Sequence, residues 1–240
     1  VIARTRINWP LTDYYGRVLA DGPTSFWPLD ELHGLTAQDL LNANTGTYQG
    51  NLAWVPGPFS LARGCLQCDG STTWVETATE YTNPTVFSLE GWFRTTSAQG
   101  GIINFTNMQG NSGLTDWDRH LYIESTGVLA FGVYTGSTVV ITTPNAVTDG
   151  KWHHAVATIG SGGMALYLDG VLVATNSNTS SQNYSGWWHV GWVYTYSWPN
   201  APSNYYFSGQ LASVAVYSYV LSASQVLAHY NAGSTGLVGV

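Results

Sequence analysis

The chain reads as an all-β sandwich closed by one short C-terminal helix, and three observations carry that reading. The first is the segment 149–174, DGKWHHAVATIGSGGMALYLDGVLVA. Alternation predicts strands over 152–159, 164–168 and 171–174, the last two joined by Asp169-Gly170. An Asp-Gly pair between alternating apolar runs is a strong hairpin signal, because both residues tolerate positive φ. The second is 208–233, SGQLASVAVYSYVLSASQVLAHYNAG, a strand over 210–217 followed by a helix. Ser222 and Gln225 have capping-box spacing, and Gly233 stands where a C-terminal cap belongs. The third is the regular succession of short strands punctuated by Gly, Asn and Pro, the pattern of a sandwich.

Taken in order, residues 1–20 read as an arm with no sustained period. A strand follows within 20–31, then a turn-rich loop over 38–50. The next strands are 66–76 and 85–95. In TVFSLEGWFRT, Phe87, Leu89, Gly91 and Phe93 alternate with Ser88, Glu90, Trp92 and Arg94. Aromatics on both faces predict a central strand with layers on either side. Trp92 and Trp152 are therefore expected to be buried. Short strands over 102–105, 119–123, 128–134 and 139–142 complete the set. No repeat or linker interrupts the middle of the chain, so the expected division is an arm (1–20), one domain (21–233) and a tail (234–240).

At 240 residues one large β domain is a natural size. Only 9% of residues are charged, against roughly 25% in an ordinary soluble domain, and Ser, Thr, Asn and Gly replace them. The net charge is −7, with six Arg and one Lys. That balance offers no electrostatic footprint for nucleic acid or anionic lipid. No apolar run approaches the roughly 18 residues of a membrane span, so membrane insertion is not expected. No signal peptide is recognisable, and a removed leader, an internal fragment or a particle-borne protein would all read alike. Cys65 and Cys68 are the two cysteines. Three residues apart in a strand, they point to opposite faces, so two free, buried thiols are expected rather than a disulfide.

The pieces FSLEGWFR, DGKWHHAVATI, ALYLDGVLVA and VAVYSYVLSASQVLAHYNAG resemble the laminin-G-like branch of the concanavalin A-like lectin/glucanase jelly rolls. The resemblance runs over roughly 20–233, and ADGPTSFWPLDE is similar to the family's opening strand. It implies a two-sheet antiparallel jelly roll. The run SWPNAPSNYYFSGQL looks most like domains of actinobacterial phage tail-associated proteins and secreted actinobacterial proteins. Trp198, Pro199, Asn200, Pro202, Ser203, Phe207 and Gly209 carry that likeness. Members often bind structural calcium, for which Asp39 and Asn42 are the candidates here. Yet the family's acid pair on the closing strand is replaced by Ala212 and Ser213, and its Gly-Gly-Asp step by Gly191, Trp192 and Val193. Calcium wants six to eight hard oxygens, so no cofactor is expected.

Catalytic patterns are thin. The five Glu, at 31, 76, 80, 90 and 124, do not form the E-x-D-x-x-E pattern that related glycosidases use to set two carboxylates on one face. His153 and His154 are adjacent in a strand and point oppositely, and no nucleophile elbow is present. The chain is therefore not expected to be an enzyme. Two clusters remain. Asp116, Trp117, Asp118, Arg119 and His120 combine acids with an aromatic and a cation. They read either as a sugar or calcium site or as a surface turn with capping carboxylates. In Tyr184 to Phe207, ten of 24 residues are aromatic and none is charged. Some must be core, while others suit pyranose stacking or a protein interface. The expected binding set is Trp198, Trp117, Tyr196, Tyr205, Asp116, Asp118, Asn200 and Asn204, with Trp198 and one or more of Trp117, Tyr196 and Tyr205 solvent-facing and Asp116, Asp118, Asn200 or Asn204 nearby. The expected function is carbohydrate binding or adhesion at a virion or cell surface, with a cell-surface or cell-wall glycan as partner. A particle protein binding sister subunits is the alternative, and a glycoside hydrolase the third reading.

Overall fold

The computed structural model describes residues 13–59, 63–235 and 237. The first twelve residues of the expected arm, and residues 236 and 238–240 of the expected tail, lie outside them. In chain order the elements are α1 (Tyr14–Ala20), β1 (Ser25–Trp27), β2 (Thr36–Ala37), β3 (Gly46–Gln49), β4 (Ala53–Pro56), β5 (Gly64–Asp69), β6 (Trp74–Thr77), β7 (Tyr81–Thr82) and β8 (Phe87–Arg94). They continue with β9 (Gly101–Thr106), β10 (Trp117–Ile123), β11 (Val128–Tyr134), β12 (Thr138–Ala146), β13 (Trp152–Gly160), β14 (Gly163–Leu168), β15 (Val171–Asn176), β16 (Ser185–Val190), β17 (Ser208–Tyr217) and α2 (Ala223–Ser234).

Among the described residues the strands form two antiparallel sheets. One has the order β15-β14-β13-β8-β17-β5-β4, with β1 pairing β17; the other has the order β12-β11-β10-β9-β16-β6-β3-β2, with β7 pairing β16. This is the jelly-roll sandwich that the sequence predicts. Period two sorts the side chains of β8 as expected. Phe87, Leu89 and Phe93 enter the inter-sheet core, and Trp92 enters a second core behind the sheet. That second core contains Tyr14, Tyr15 and Val18 of α1 and Val226 of α2, so helices form a third layer. Trp92 and Trp152 are buried, and Cys65 and Cys68 are free, one in each core. Burial pushes the Cys65 thiol up to about 12, which keeps it protonated.

The β14–β15 hairpin turns on Asp169 and Gly170, both at positive φ (52° and 79°), as an Asp-Gly reversal requires. Ser222 and Gln225 form the capping box of α2.

Three expectations are corrected. Residues 13–20 are not an arm: Asp13 caps α1 by accepting the Tyr15 N–H, and the helix is integral to the second core. The stretch 66–76 is two strands in different sheets, because Asp69 accepts the N–H groups of Ser71, Thr72 and Thr73 and turns the chain between β5 and β6. Gly233 does not cap α2, which runs on to Ser234. It is a contact glycine: a Cβ there would lie 2.4 Å from the Trp92 ring.

Candidate functional site

The helices cover the back of the eight-stranded sheet, which leaves the outer face of the nine-stranded sheet to be closed otherwise. On β9, Ile103 and Phe105 point into the inter-sheet core, so Asn104 points out. On β10, Leu121 and Ile123 point in and His120 and Tyr122 out. On β16, Trp188 and Val190 point in and His189 out. Residues 191–207 fold back over this face. Their backbone sits close on β9, where a Cβ at Gly101 would meet Val193 at 2.4 Å. The indole of Trp198 lies on β11, where a Cβ at Gly132 would fall 2.3 Å from the ring.

Beside this roof runs an open groove of about 410 Å³. The rings of Trp117, Tyr134, Tyr196 and Trp198 line it, together with the polar groups of Thr115, Thr138, Gln182 and Ser197. None of these eight residues is charged. Trp117 is half-buried, with its ring edge-on to Tyr194 at 4.8 Å, and Tyr194 stacks on Tyr196 at 6.4 Å. A smaller pocket of about 200 Å³ lies elsewhere, among Thr24, Tyr81, Pro84, Val86 and Trp188.

A buried ion pair builds the groove's wall. Asp118 and Arg119 are fully buried and paired with each other. Asp118 also accepts the backbone N–H groups of Tyr134 (3.1 Å) and Gln182 (3.0 Å) and the Tyr184 hydroxyl (2.9 Å). Burial raises its pKa, against the Arg119 charge and these hydrogen bonds. Arg119 donates further to the carbonyls of Pro84 and Gln182 and to Asn83 Oδ1. It sits 5.0 Å from the Phe105 ring centroid and 4.9 Å from that of Tyr184. This pair fixes Tyr134 and Gln182, and neither member meets solvent.

Of the residues expected to bind, the structure brings Trp117, Tyr196 and Trp198 into one groove. Asp116 lies beside it, accepting hydrogen bonds from Gln182 Nε2, Thr115 Oγ1 (2.9 Å) and Asn107 Nδ2 (3.2 Å). Tyr196 is 62% exposed, as expected, but Trp198 is 7% exposed. The proline-bounded turn folds down onto Gly132 instead of projecting. Asp118 is a buried wall anchor, not a surface ligand. Asn200 lies at the far end of the turn, donating to Glu124 Oε2 at 3.1 Å. Asn204 donates to the Gly70 carbonyl, and the half-buried Tyr205 packs edge-on to Tyr194 at 5.1 Å. These three do not line the groove. The calcium candidates are also corrected. Asp39 is buried and accepts four backbone N–H groups, from Phe26, Leu41, Ala43 and Asn44, at 2.8–3.1 Å. Its four lone-pair sites are thereby used. Asn42 Oδ1 accepts from Gln38 Nε2.

Sequence reasoning missed two groups. One is the row His189, Asn104, His120 and Tyr122 beneath the roof, all fully buried. Asn104 stands opposite His189 on β16 and opposite the bulge between Asp118 and Leu121 on β10. Both polar atoms of the Asn104 amide, the Tyr122 hydroxyl and His189 Nδ1 lack a hydrogen-bond partner. His120 makes no well-formed hydrogen bond either, although the Tyr194 carbonyl is near enough to act on it. Burial, helped by the Arg119 charge, pushes the His120 pKa down to about 3, and burial does the same to His189. Each orphaned group costs about 1–3 kcal/mol. The alternation of His120 and Tyr122 with Leu121 and Ile123 was the available signal.

The other is a cluster in the second core. The fully buried Glu90 accepts from the Tyr14 hydroxyl (2.7 Å) and His154 Nε2 (2.8 Å) on one oxygen, and from the Tyr217 hydroxyl (2.7 Å) and His229 Nδ1 (3.0 Å) on the other. His229 Nε2 reaches Asp21 at 2.8 Å. Burial works against the Glu90 charge, but the charge of His229 and the histidine hydrogen bonds hold its pKa well below the usual carboxylate range. Burial works against the His229 cation, but Glu90, then Asp21, raise its pKa. The cluster ties α1 and α2 to β8, β13 and β17.

The chain belongs to the concanavalin A-like lectin/glucanases superfamily, whose laminin-G-type family profile matches residues 69–227. Similar solved structures include Trypanosoma rangeli sialidase in complex with sialic acid. The TM-score is 0.62 at 13% identity, covering 88% of this chain and 33% of that one. The same sialidase with the inhibitor DANA gives 0.60 at 14% identity, covering 87% and 32%. The CBM40 domain of Ruminococcus gnavus IT-sialidase, bound to alpha2,6 sialyllactose, gives 0.48 at 20% identity, covering 62% and 84%. The chain thus spans about a third of the sialidase chains, and identities this low speak for the fold alone. Comparison with curated proteins gives no match.

Proposed function

We propose that the chain is a non-catalytic carbohydrate-binding module, and that its groove takes a neutral cell-surface or cell-wall glycan. The observation that carries this reading is an uncharged groove in which Trp117, Tyr134 and Tyr196 offer ring surface beside the Gln182 amide and Thr and Ser hydroxyls. Sugar C–H faces pack on such rings while amides and hydroxyls fix orientation. A sialylated ligand would call for a cation, and the guanidinium behind the groove wall, Arg119, is buried and committed to Asp118. Hydrolysis would call for two carboxyl groups flanking a glycosidic bond. Of the two acids nearest the groove, Asp118 is sealed and Asp116 is tied to its neighbours. A virion or cell surface is the fitting location, as an adhesion or receptor-binding part of a phage tail-associated protein. The resemblance of residues 197–211 supports that setting.

On an array of neutral and sialylated oligosaccharides, the protein is expected to select neutral glycans. Trp117→Ala is expected to weaken binding about 30-fold, the effect of removing an anchor worth about 2 kcal/mol, with the circular dichroism spectrum retained. Equal binding by the folded variant, or a preference for sialylated glycans, contradicts the proposal.

One observation favours the alternative of contacts with sister subunits. Val171 and Leu172, on the sheet-edge strand β15, and Leu227, on α2, are exposed apolar side chains, and unpaired edges template association. A monomer in sedimentation equilibrium at high concentration removes this reading.

A further inference from the structure

We propose that the glycan site continues beneath Trp198, and that Asn104, His120 and Tyr122 form an occluded inner subsite for sugar hydroxyls, opened when the Ser197 to Asn200 turn lifts. The proposal rests on the carbohydrate reading of the outer groove.

Three features of the fold support it. The row beneath the roof is built for hydrogen bonding, although an apolar roof covers it. Trp198 packs on His120 and Tyr122, Val193 packs in the cluster with Tyr122, and Asn104 is fully buried on the neighbouring strand, where the inner face of the same strands carries Ile, Leu and Phe. An interior that existed only to be filled would be served by apolar side chains there. Instead, the Asn104 amide presents both a donor and an acceptor, and the Tyr122 hydroxyl can do either. The uncharged imidazole that burial makes of His120 also offers one donor and one acceptor, whereas His189, whose Nε2 is taken up by Thr106 and the Met108 carbonyl, adds only Nδ1. Paired donors and acceptors without charge are the complement of vicinal sugar hydroxyls.

The second feature is continuity. Trp198 lines the outer groove, and its ring also lies 4.4 Å from His120 and 6.4 Å from Tyr122. Displacing this one ring joins the groove to the polar row.

The third is the way the plug is held. Ser197 and Asn200, on either side of Trp198-Pro199, both have left-handed backbone (φ 64° and 47°), a conformation that L residues adopt at a cost. The roof on either side is fixed differently. Three backbone bonds seat it on the body, Gly101 N–H donating to the Tyr205 carbonyl, Gly70 N–H to the Phe207 carbonyl and Gly191 N–H to the Ile102 carbonyl. The turn itself is held to the body by Ser125 N–H donating to the Asn200 carbonyl and by Asn200 reaching Glu124. The plug is thus the strained, lightly tethered part of a firmly seated roof.

The test uses the neutral oligosaccharide that the array binds most tightly, titrated calorimetrically into the wild type, Asn104→Leu, Tyr122→Phe and Asn200→Gly. Loss of at least tenfold in affinity is expected for Asn104→Leu and Tyr122→Phe, with melting temperatures equal to or above that of the wild type, since each change removes an orphaned polar group. Asn200→Gly, which keeps the left-handed backbone but releases the turn from Glu124 outside the groove, is expected to bind as tightly as the wild type or more so, and weaker binding overturns the opening of the turn. If Asn104→Leu fails to fold, Tyr122→Phe, which deletes a single oxygen, decides alone. Wild-type affinity in the folded Asn104 and Tyr122 variants overturns the inner subsite while leaving the groove intact. A wild-type protein that binds no glycan on the array overturns the groove reading and the subsite with it.

Discussion

Glu90→Gln is expected to lower the melting temperature by roughly 6–20 °C, the equivalent of about 3–5 kcal/mol in a chain of this size. The Glu90 carboxylate accepts four hydrogen bonds, two on each oxygen, from Tyr14, His154, Tyr217 and His229. A carboxylate is acceptor-only, whereas an amide must turn an NH2 toward two of those donors. The His229 cation would also lose its buried counter-charge, leaving only Asp21. The pH dependence follows from the two shifts. Glu90 is held below its usual pKa, so its contribution is present above the unfolded value near 4.5 and is lost as pH falls through the folded one. His229 is held above 6.5, so its contribution is complete below that value and is lost as pH rises through the folded pKa. The stability difference between wild type and variant should therefore be greatest between about pH 4.5 and 6.5 and shrink on both sides. Melting curves across pH 3–9 measure it, and a pH-independent difference would show that the cluster does not hold these charges.

Trp92→Ala is expected to cost about 3–5 kcal/mol, through lost burial and an unfilled cavity. The ring is fully buried, stacked on Tyr230 at 6.0 Å and edge-on to Phe59 at 5.4 Å and Tyr14 at 5.9 Å. Gly233 makes the prediction sharper. Its missing Cβ leaves room for the indole, so Gly233→Ala alone overpacks the contact, at about 1–3 kcal/mol. In the Trp92→Ala background the same change is expected to be neutral or favourable, because Ala is the better helix former by about 1 kcal/mol. A denaturant double-mutant cycle reads the coupling. Additive effects would mean that the two residues do not touch.

The same residue shows where local sequence signals stop. Gly233 near a helix end reads as a cap, and only the position of Trp92, 141 positions earlier in the chain, shows that it serves packing. Period two placed the faces of β8 correctly because both faces are buried against apolar layers. That pattern was legible without knowing what those layers were. It could not show that Glu90 has four partners 64 to 139 residues away, since its strand neighbours Ser88 and Trp92 carry no trace of them. The groove was half legible. Trp117, Tyr196 and Trp198 lie in two dense local clusters, while Tyr134, Thr138 and Gln182 join only through sheet pairing and the Asp118 anchor. Trp198 was misplaced for a related reason. A proline-bounded turn reads as exposed, but the bare backbone of Gly132 gave the ring a seat on the sheet.

A crystal structure of the protein with the neutral oligosaccharide selected on the array decides whether the outer face of the nine-stranded sheet binds neutral carbohydrate. A pyranose ring packed against Trp117 or Tyr196, with a hydroxyl hydrogen-bonded to the Gln182 side chain, is the predicted result. Saccharide bound instead in the small pocket by Tyr81 and Trp188, or anywhere off this face, would contradict it.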